Sequence, residues 1–390
     1  MKSLALGGAA LQFLAGGGRD LELARLGSSD GAAALGDGDH VQLVDHNGDE
    51  LGLAITDVGN AKLRVLAVPA DGLPAIGGAL LALRVERALS WRTQLGLPGD
   101  DHAYRLLHGA GDGLPGFACD VLGKTAIVYV YGEGLRALGR QLAEAIVGFA
   151  KLEGAVVKLR ARGGAAEVAQ DIVGRSPDEA YVVTEHGVPF EVHPLGGLNT
   201  GIFTDMREHR RGLARFAGGR RVLNLFSYTG ALSVACARAG AKTVTSVDTS
   251  PGVAAWARSN FGRSNLTGER WQFETGDAVR YLARAGRDRE QYDVVIIDPP
   301  TFSTARGQPW TLDRDYPALI KLAAAVIPDG GVLWLAANTH ELASLSKLAH
   351  KGLAGRSAAI LEQGGLPPEY PTLVAQPRDR YLQVCVLRLG

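Results

Sequence analysis

Short apolar runs alternate with stretches of helical periodicity from residue 222 to residue 336. This alternation is typical of a doubly wound α/β fold, in which helices cover both faces of a parallel sheet. Such a sheet binds its ligand beyond the carboxyl ends of its strands, so the residues after each apolar run are the candidates for function. The predicted strands are Val222–Phe226, Val244–Val247, Trp271–Glu274, Val294–Ile297 and Val332–Ala336, and the predicted helices are 230–239, 251–260, 277–285 and 315–326.

The sequence pattern changes twice along the 390 residues, which suffice for two or three domains. Residues 1–72 are predicted to form a small β domain, since Val41–Asp45 alternates apolar and polar residues ahead of a turn. Residues 73–180 combine turn-rich strands with the amphipathic helix Leu135–Ala150 and are predicted to form an α+β domain. Residues 181–390 contain the strand–helix alternation and are predicted to form the α/β domain.

Composition excludes several classes of protein. Hydrophobic residues make up 46% of the chain and charged residues 21%, which excludes a disordered protein. The three cysteines, Cys119, Cys236 and Cys385, are too few for a disulfide scaffold and suit a reducing cytoplasm. No apolar stretch is long enough to span a membrane. Met1–Gly18 lacks a clear cleavage site, so it is predicted to be a first strand rather than a signal peptide.

The charge of the chain is neutral in total but uneven in its distribution. Lysine and arginine total 41, as do aspartate and glutamate. The net charge is −5 over residues 1–72, −1 over residues 73–186 and +6 over residues 187–390. Because phosphate contacts need positive charge, any surface that binds RNA is expected on the C-terminal part. The arginines expected to form it are Arg207, Arg210, Arg211, Arg215, Arg220, Arg221, Arg306 and Arg314. For the 207–221 group, ordinary solvated helix charges are the alternative.

The first candidate motif spans residues 221–230, where a strand runs into a turn of small residues and then into a helix. Such a turn brings backbone N–H groups close to a bound cofactor. It lacks the G-x-G-x-x-G pattern, so a pyrophosphate is not expected here. Simple packing of the strand against the helix is the alternative.

Two acids follow the next two predicted strands. Asp248 ends the second strand, where a carboxylate can accept both hydroxyls of a ribose, while Thr249 or Ser250 can cap the next helix. Asp277 follows the third strand. It is expected either to bind an adenine amino group or to cap helix 277–285.

The most specific motif, Asp298-Pro299-Pro300-Thr301-Phe302, follows the buried strand Val294–Ile297. The prolines fix the backbone dihedral angles and supply no N–H donor. A rigid loop of this kind can present carbonyl oxygens to a flat base, and Phe302 can stack on that base.

Taken in this order, the motifs resemble those of class I S-adenosylmethionine-dependent methyltransferases. The resemblance narrows to a family of bacterial 23S ribosomal RNA large-subunit methyltransferases, which combine an N-terminal PUA-like domain, a central α+β domain and a C-terminal Rossmann-like domain. The resemblance covers nearly the whole chain. The motifs in the C-terminal part are specific, and the match in the N-terminal part is loose. The segments that carry it are 198–207, 224–230, 246–250 and 297–303, with 38–45, 63–66 and 111–117 nearer the N-terminus.

The resemblance implies S-adenosyl-L-methionine as cofactor and a base of 23S ribosomal RNA as methyl acceptor. The methionine and sulfonium side would be lined by Thr200, Gly201, Phe203, Asp205 and Arg207. The turn after the first strand would contribute Asn224, Phe226, Ser227, Tyr228, Thr229 and Gly230. The ribose would lie beside Asp248, Thr249 and Ser250, and the adenine beside Asp277 and Ala278. The acceptor base would meet Asp298, Pro299, Pro300, Phe302 and Asn338.

The chain departs from the cytosine-C5 members of this family at one place. Those enzymes use a thiolate that adds to ring carbon 6, and in them the cysteine follows the fifth strand. Here that segment is Leu335–His340, with Asn338 and no cysteine, so 5-methylcytosine is not an expected product. The segment resembles the guanine-N7 branch instead. Guanine N7 carries a lone pair and no proton, so alignment of donor and acceptor suffices for transfer.

Several alternatives stay open. An exocyclic amine is a second acceptor that fits the Asp-Pro-Pro loop, and His340 is a candidate general base for it. A small-molecule methyltransferase on the same architecture is one alternative, and the acidic N-terminal residues 1–72 slightly favour it. A cofactor-binding RNA chaperone without enzymatic activity is the third functional class. No membrane partner is expected, and the sequence leaves open whether the chain forms a homodimer.

Overall fold

The computed structural model describes residues 1–26, 35–160, 170–197, 199–300, 311–340 and 344–390, and for residue 170 the backbone alone. The chain divides into two compact units. The first comprises Met1–Thr184, Val192–Thr200 and Pro368–Asp379, and the second comprises Glu185–Glu191, Gly201–Pro367 and Arg380–Gly390. Within the described ranges, no helix is both long and apolar enough to cross a membrane.

The first sheet of the first unit comes from the N-terminal residues. Its strands are β1 (Lys2–Ala5), β2 (Asp20–Glu22), β3 (His40–Val44), β4 (Glu50–Asp57) and β5 (Lys62–Ala67), in the order β1-β3-β4-β5-β2. The predicted first strand is correct for β1, but Gly8–Ala15 forms a helix, α1. The prediction missed this helix because Gln12 is the one polar residue among its eight, so it shows little amphipathic contrast.

The second sheet of the first unit is five-stranded and carries two helices. Its elements are α2 (Gly78–Gln94), β6 (Ala103–His108), β7 (Phe117–Leu122), β8 (Thr125–Val130), α3 (Arg136–Ala150), β9 (Gly154–Leu159) and β10 (Gln170–Gly174), with strand order β10-β9-β8-β7-β6. Leu53 and Ile55 of β4 belong to the same buried cluster as Leu80 and Leu81 of α2, so the two sheets share one core. The division into domains at residue 72 stays a prediction.

The remaining elements begin with a hairpin and continue into the strand–helix alternation. Strands β11 (Tyr181–Glu185) and β12 (Val188–Val192) form a two-stranded sheet. The second unit continues with α4 (Arg207–Ala214), β13 (Arg221–Leu225), α5 (Ala231–Arg238), β14 (Thr243–Asp248), α6 (Pro251–Arg263), β15 (Trp271–Thr275), α7 (Ala278–Arg287), β16 (Val294–Ile297), α8 (Leu312–Ala325), β17 (Val332–Asn338), α9 (Leu345–Leu353), β18 (Ala358–Gly364) and β19 (Leu382–Leu389).

The seven strands β13–β19 form one sheet in the order β15-β14-β13-β16-β17-β19-β18. Strands β13 to β17 are parallel, and β19 is antiparallel to β17. The helices pack in two sets, α4–α6 and α7–α9, which cover the two faces. On β13, Leu223 and Leu225 enter the core beneath α7–α9, whereas Asn224 contacts α5 on the other face. This arrangement confirms the predicted Rossmann-like α/β fold.

The order of the strands locates the site. Strand β13 has β14 on one side and β16 on the other, so the chain changes direction across the sheet between β13 and β16. In sheets of this class the ligand binds at this reversal, beyond the carboxyl ends of the strands. Phe226 follows β13 and Asp298 follows β16. Asp248 is the last residue of β14.

Candidate active site

The turn after β13 is held in an uncommon backbone conformation. Phe226 and Tyr228 have φ angles of 58° and 47°, and Gly230 has a φ of 76°. Left-handed φ values in bulky residues persist only where the surroundings enforce them. The Ser227 amide donates to the Val247 carbonyl at 3.0 Å, and the Gly230 amide donates to the Ser227 carbonyl at 2.9 Å. The turn is therefore fixed from both sides and opens toward the reversal point of the sheet.

Asp248 joins this turn to the two neighbouring strand ends. Its Oδ2 accepts the Tyr228 amide at 2.9 Å, and its Oδ1 accepts the Ser250 amide at 3.1 Å. Its own carbonyl accepts the Gly276 amide, which follows β15, at 2.8 Å. Each carboxylate oxygen has a second lone pair, so the group can still accept the two hydroxyls of a ribose.

Buried polar contacts support the turn from behind. The Thr229 hydroxyl donates to the Gly201 carbonyl at 2.6 Å, and the Asn260 amide of α6 donates to the Thr229 carbonyl at 2.9 Å. A Cβ on Gly201 would lie 2.3 Å from the Trp256 ring, so only glycine fits there. Sequence reasoning named Thr229 and Gly201 but missed Asn260 and Trp256, because both lie inside α6 without a motif of their own.

The segment before α4 brings an aromatic ring to the turn. Phe203 is 43% exposed although it is large and apolar, and its ring centroid lies 5.2 Å from that of Tyr228. Arg207 is buried; its guanidinium pairs with Glu208 at 2.9 Å and contacts His186 at 3.3 Å. Thr200, which belongs to the first unit, is buried, and its carbonyl accepts the His193 amide at 2.9 Å.

Asn224 lies below the turn, inside the sheet. It is fully buried, and its amide donates to the Ser233 hydroxyl of α5 at 2.9 Å. The Ser246 hydroxyl of β14 contacts the same Ser233 hydroxyl at 2.8 Å. This chain of polar contacts fixes α5 against β13 and β14. The predicted cofactor contact of Asn224 stays a prediction, and the visible role of its amide is to support the turn.

Two of the predicted helix caps are present. The Ser250 hydroxyl accepts the Val253 amide at 3.3 Å at the start of α6, and Thr249 is exposed. Asp277 caps α7 through Oδ1, which accepts the Arg280 amide at 2.9 Å, and Ala278 is buried at the first position of that helix. The adenine contact predicted for Asp277 stays a prediction.

Asp298, which directly follows β16, carries a strongly perturbed carboxyl. Desolvation by the surrounding protein atoms, and to a lesser degree the negative charge of Asp205, raises the pKa of Asp298 to about 7. The positive charge of Arg210 opposes this shift. Asp205 is buried and accepts the Tyr381 hydroxyl at 3.0 Å. Asp298 is therefore half protonated near neutral pH and can donate or accept a hydrogen bond.

The residues at the end of β17, which pairs with β16, complete the part of the site around Asp298. Asn338 is exposed at the last position of β17, and the Thr339 amide donates to the Tyr381 carbonyl at 2.8 Å. The rings of His340 and Tyr381 meet edge to face at 5.8 Å. Sequence reasoning missed Tyr381, because it precedes an antiparallel strand and carries no motif. Pro299 is buried and Pro300 exposed, and Phe302 lies outside the described residues.

The prediction that the arginines of the C-terminal part form an RNA-binding surface is wrong in part. Arg207 and Arg210 are buried, and Arg210 forms a two-bond ion pair with Glu185. Four others pair with acids: Arg211 with Glu208, Arg215 with Glu362, Arg221 with Asp293 and Arg314 with Asp315. The charge of these arginines is largely neutralised by partners that a sequence pattern does not reveal. Arg220 is half-buried and has no ion pair among the described residues. Arg306 lies outside the described residues.

All three cysteines are buried, and none lies in the segment after β17. Burial raises the pKa of Cys236 to about 12, and raises those of Cys119 and Cys385 as well. Thiols in such surroundings do not ionise near neutral pH and are poor nucleophiles.

The residues around the turn fit an adenosyl cofactor. Asp248 supplies carboxylate oxygens beside the constrained turn, Asp277 lies at the start of α7, and Phe203 exposes an apolar ring. S-adenosylmethionine supplies an electrophilic methyl group on a sulfonium. This chain's own task is to hold that group against an acceptor and to exclude water.

Replacement of Gly230 by alanine is expected to weaken cofactor binding. A Cβ there would combine a φ of 76° with a contact of 3.0 Å to the Cβ of Ala257, so the turn must shift. Calorimetric titration with S-adenosylmethionine should show about a tenfold loss, equivalent to about 1.4 kcal/mol. Gly240→Ala is the matched control, because Gly240 has a φ of 85° but open space around it. Equal affinity of the two variants would contradict this account of the turn.

Replacement of Asp298 by asparagine is expected to change the pH dependence of stability. The folded carboxyl keeps its proton up to about pH 7, whereas the unfolded group loses it near its ordinary pKa of 3.8. The folded chain therefore binds more protons between these values, and this group's contribution to stability is lost as pH rises through that window. The melting temperature of Asp298→Asn relative to the parent should rise between pH 5 and pH 8.

Asp293→Asn is the control for this measurement. The pKa of Asp293 is lowered by its contacts with Arg221, despite the opposing effect of burial, so its charge state is the same at pH 5 and pH 8. No change in relative melting temperature is expected for it. A parallel pH dependence of the parent and Asp298→Asn would refute the shifted pKa.

Comparison with known proteins assigns the family. The family model for S-adenosylmethionine-dependent methyltransferases matches residues 104–379. A curated relative, Ribosomal RNA large subunit methyltransferase I of Klebsiella pneumoniae, is 29% identical over 358 residues, covering 89% of this chain and 88% of that protein. A solved structure from Streptococcus mutans, assigned as a SAM-dependent methyltransferase, covers 100% of both chains at 25% identity with a TM-score of 0.87. A methyltransferase solved in complex with SAH covers 100% of both chains at 25% identity with a TM-score of 0.88. The chain belongs to the family of S-adenosylmethionine-dependent methyltransferases.

Proposed function

We propose that this enzyme methylates a base of 23S ribosomal RNA, with guanine N7 as the acceptor atom. The relative from Klebsiella pneumoniae acts on large-subunit ribosomal RNA according to its name, and it matches most of this chain. The observation that carries the choice of atom is the acceptor side of the site. We assign Asp298 and Asn338, at the ends of the neighbouring strands β16 and β17, to that side, and all three cysteines are buried outside the segment after β17.

The chemistry of guanine N7 suits a site without a thiol. The N7 lone pair attacks the methyl carbon as the bond from carbon to sulfur breaks, which leaves a neutral thioether and a positively charged 7-methylguanine. No proton is lost and no covalent adduct with the protein forms. The protein's contribution is then mainly alignment of the two reacting atoms, which can supply most of the rate enhancement.

The carboxyl of Asp298 supports a guanine in particular. In its protonated form, which a pKa of about 7 makes available, it can donate a hydrogen bond to an acceptor such as guanine O6. Asn338, exposed at the end of the adjacent parallel strand, can donate and accept through its amide. Pro299, Pro300 and Phe302 are proposed to shape the loop over the base.

The cofactor would be bound on the opposite side of the β13 turn. Asp248 is proposed to hold the ribose, and Asp277 with Ala278 the adenine. The turn residues and the segment from Thr200 to Arg207 would enclose the methionine part. Residues 1–72 are proposed to be a PUA-like domain, in keeping with their five-stranded sheet, and the enzyme to work in the cytoplasm.

The test is methyl transfer to deproteinised bacterial 23S ribosomal RNA, followed by digestion and mass spectrometry of the nucleosides. The expected product is 7-methylguanosine. Because no thiol takes part, a variant in which Cys119, Cys236 and Cys385 are all replaced by alanine should form the same product, provided that circular dichroism shows it folded.

Detection of 5-methylcytidine, or loss of activity in the folded cysteine-free variant, would contradict the proposal. An N-methylated exocyclic amine would replace guanine N7 with the second candidate acceptor. Transfer to small-molecule extracts but not to RNA would overturn the RNA substrate.

A further inference from the structure

Helix α7 carries three arginines on one exposed face, Arg280, Arg284 and Arg287. They are spaced by four and three residues, so they share a strip of roughly 60° around the helix and about 10 Å along it. The opposite face, with Tyr281, Leu282 and their neighbours, is buried against the sheet. We call these three residues the α7 arginine face.

The α7 arginine face differs from the arginines predicted from sequence, because its charges are not neutralised. Within the part of the chain that the structure describes, none of the three guanidinium groups pairs with a carboxylate. In the same unit, Arg211 and Arg215 are equally exposed, but each lies within 3 Å of a glutamate oxygen. Among the described residues, the exposed positive charges on α7 are therefore not compensated by ion pairs, unlike those of Arg211, Arg215 and Arg221.

Three acids near the helix are occupied or lie at its ends, while Glu274 of β15, exposed near Tyr281, is a further negative charge on this side. The Asp277 carboxylate caps α7, the Glu290 carboxylate accepts the Tyr292 hydroxyl at 2.7 Å, and Asp288 is the C-cap residue. The arginine at position 280 lies in the first turn, where the helix dipole disfavours positive charge. Like charges three and four residues apart also repel each other. Arg284 and Arg287 lie in the last turn, where the helix dipole favours positive charge, so Arg280 is the one member in an unfavourable position.

One of the three side chains is already ordered. The guanidinium of Arg284 lies 4.8 Å from the centroid of the Tyr281 ring. Two more arginines near the adjacent edge strand β15 show the same stacking, Arg270 on Trp271 at 4.3 Å and Arg258 on Phe273 at 5.1 Å. A stacked guanidinium keeps its N–H groups available for phosphate oxygens and loses little freedom on binding.

We propose that the α7 arginine face binds the phosphate backbone of the RNA substrate. This inference rests on the proposed function, since it assigns a contact surface to that substrate. A membrane surface is the less suitable partner, because no large apolar side chain is exposed between residues 251 and 300 to insert beside the arginines. Helix α7 begins at the end of the sheet proposed to hold the cofactor, so RNA that reaches the site can extend along it.

The test compares two double variants of the full chain that remove the same charge. Arg284→Gln with Arg287→Gln alters the α7 arginine face, and Arg211→Gln with Arg215→Gln alters paired arginines of equal exposure. Binding to deproteinised 23S ribosomal RNA is measured by filter retention between 50 and 200 mM KCl. Each phosphate contact contributes about 0.7–0.9 to the slope of log affinity against log salt concentration. The α7 variant should lose about 1.5 units of slope and at least about tenfold in affinity at 100 mM salt.

The control variant should keep the slope and affinity of the parent, and both variants should bind S-adenosylmethionine as tightly as the parent. Equal losses in the two variants would show that only net charge matters, and unchanged binding in the α7 variant would show that this face makes no contact. Either result would overturn this inference and leave the proposed function standing. A parent chain that binds S-adenosylmethionine but no 23S ribosomal RNA overturns the proposed substrate and the inference with it.

Discussion

The carboxylate of Asp248 is the contact on which the cofactor side of the site depends. It accepts amides from the turn after β13 and from the start of α6, while its carbonyl holds the residue that follows β15. Three neighbouring strand ends are thus fixed by one residue. Without it, the left-handed conformations of Phe226 and Tyr228 lose one of the contacts that enforce them. The same group is proposed to accept the ribose hydroxyls, so one side chain would serve both structure and binding.

The acceptor side depends on the neighbouring strands β16 and β17. The hydroxyl of Tyr316 is fully buried and lies within hydrogen-bond distance of the carbonyls of Ile297 and Ala336, which ties the two strand ends together. Asp298 follows directly, beside the buried charge of Asp205. A carboxyl that is half protonated at neutral pH suits an acceptor atom that needs orientation rather than covalent activation. The thiol of Cys385, on β19 opposite Leu335 of β17, is buried and its pKa is raised, so it is a poor nucleophile.

Much of the fold follows from local patterns. The predicted strand Val294–Ile297 agrees with β16 at both ends, and the helix predicted at 135–150 begins one residue later. Apolar periodicity finds such elements because their burial dominates their sequence. Helix α1 was not predicted because Gln12 is its one polar residue, so it has no clear polar face. Strands β18 and β19 form the far edge of the sheet, and their order reverses relative to the chain, which no local signal encodes.

The positions of the candidate residues were predictable where a motif follows a strand. Contacts between residues far apart in the sequence were not predictable. Asp248, Asp277 and Asp298 each come at a strand end, so the sheet topology brings them together. Arg210 and Arg215 were misjudged because their partners, Glu185 and Glu362, lie 25 and 147 residues away. Tyr381 was missed because it is 176 residues from Asp205, which it contacts. Long-range pairing decides which charges remain available, and this decision shifts the expected RNA surface to α7.

The most direct test of the account is calorimetric titration of Asp248→Asn with S-adenosylmethionine. An asparagine cannot accept both backbone amides and two ribose hydroxyls, and each lost bond to a charged group is worth about 1.5–3 kcal/mol. The affinity should fall at least about tenfold. Asp293→Asn is the matched control, because it also removes a carboxylate that accepts a backbone amide, at the opposite ends of the strands. Binding by Asp248→Asn as tight as that of the parent would contradict the central role of this carboxylate.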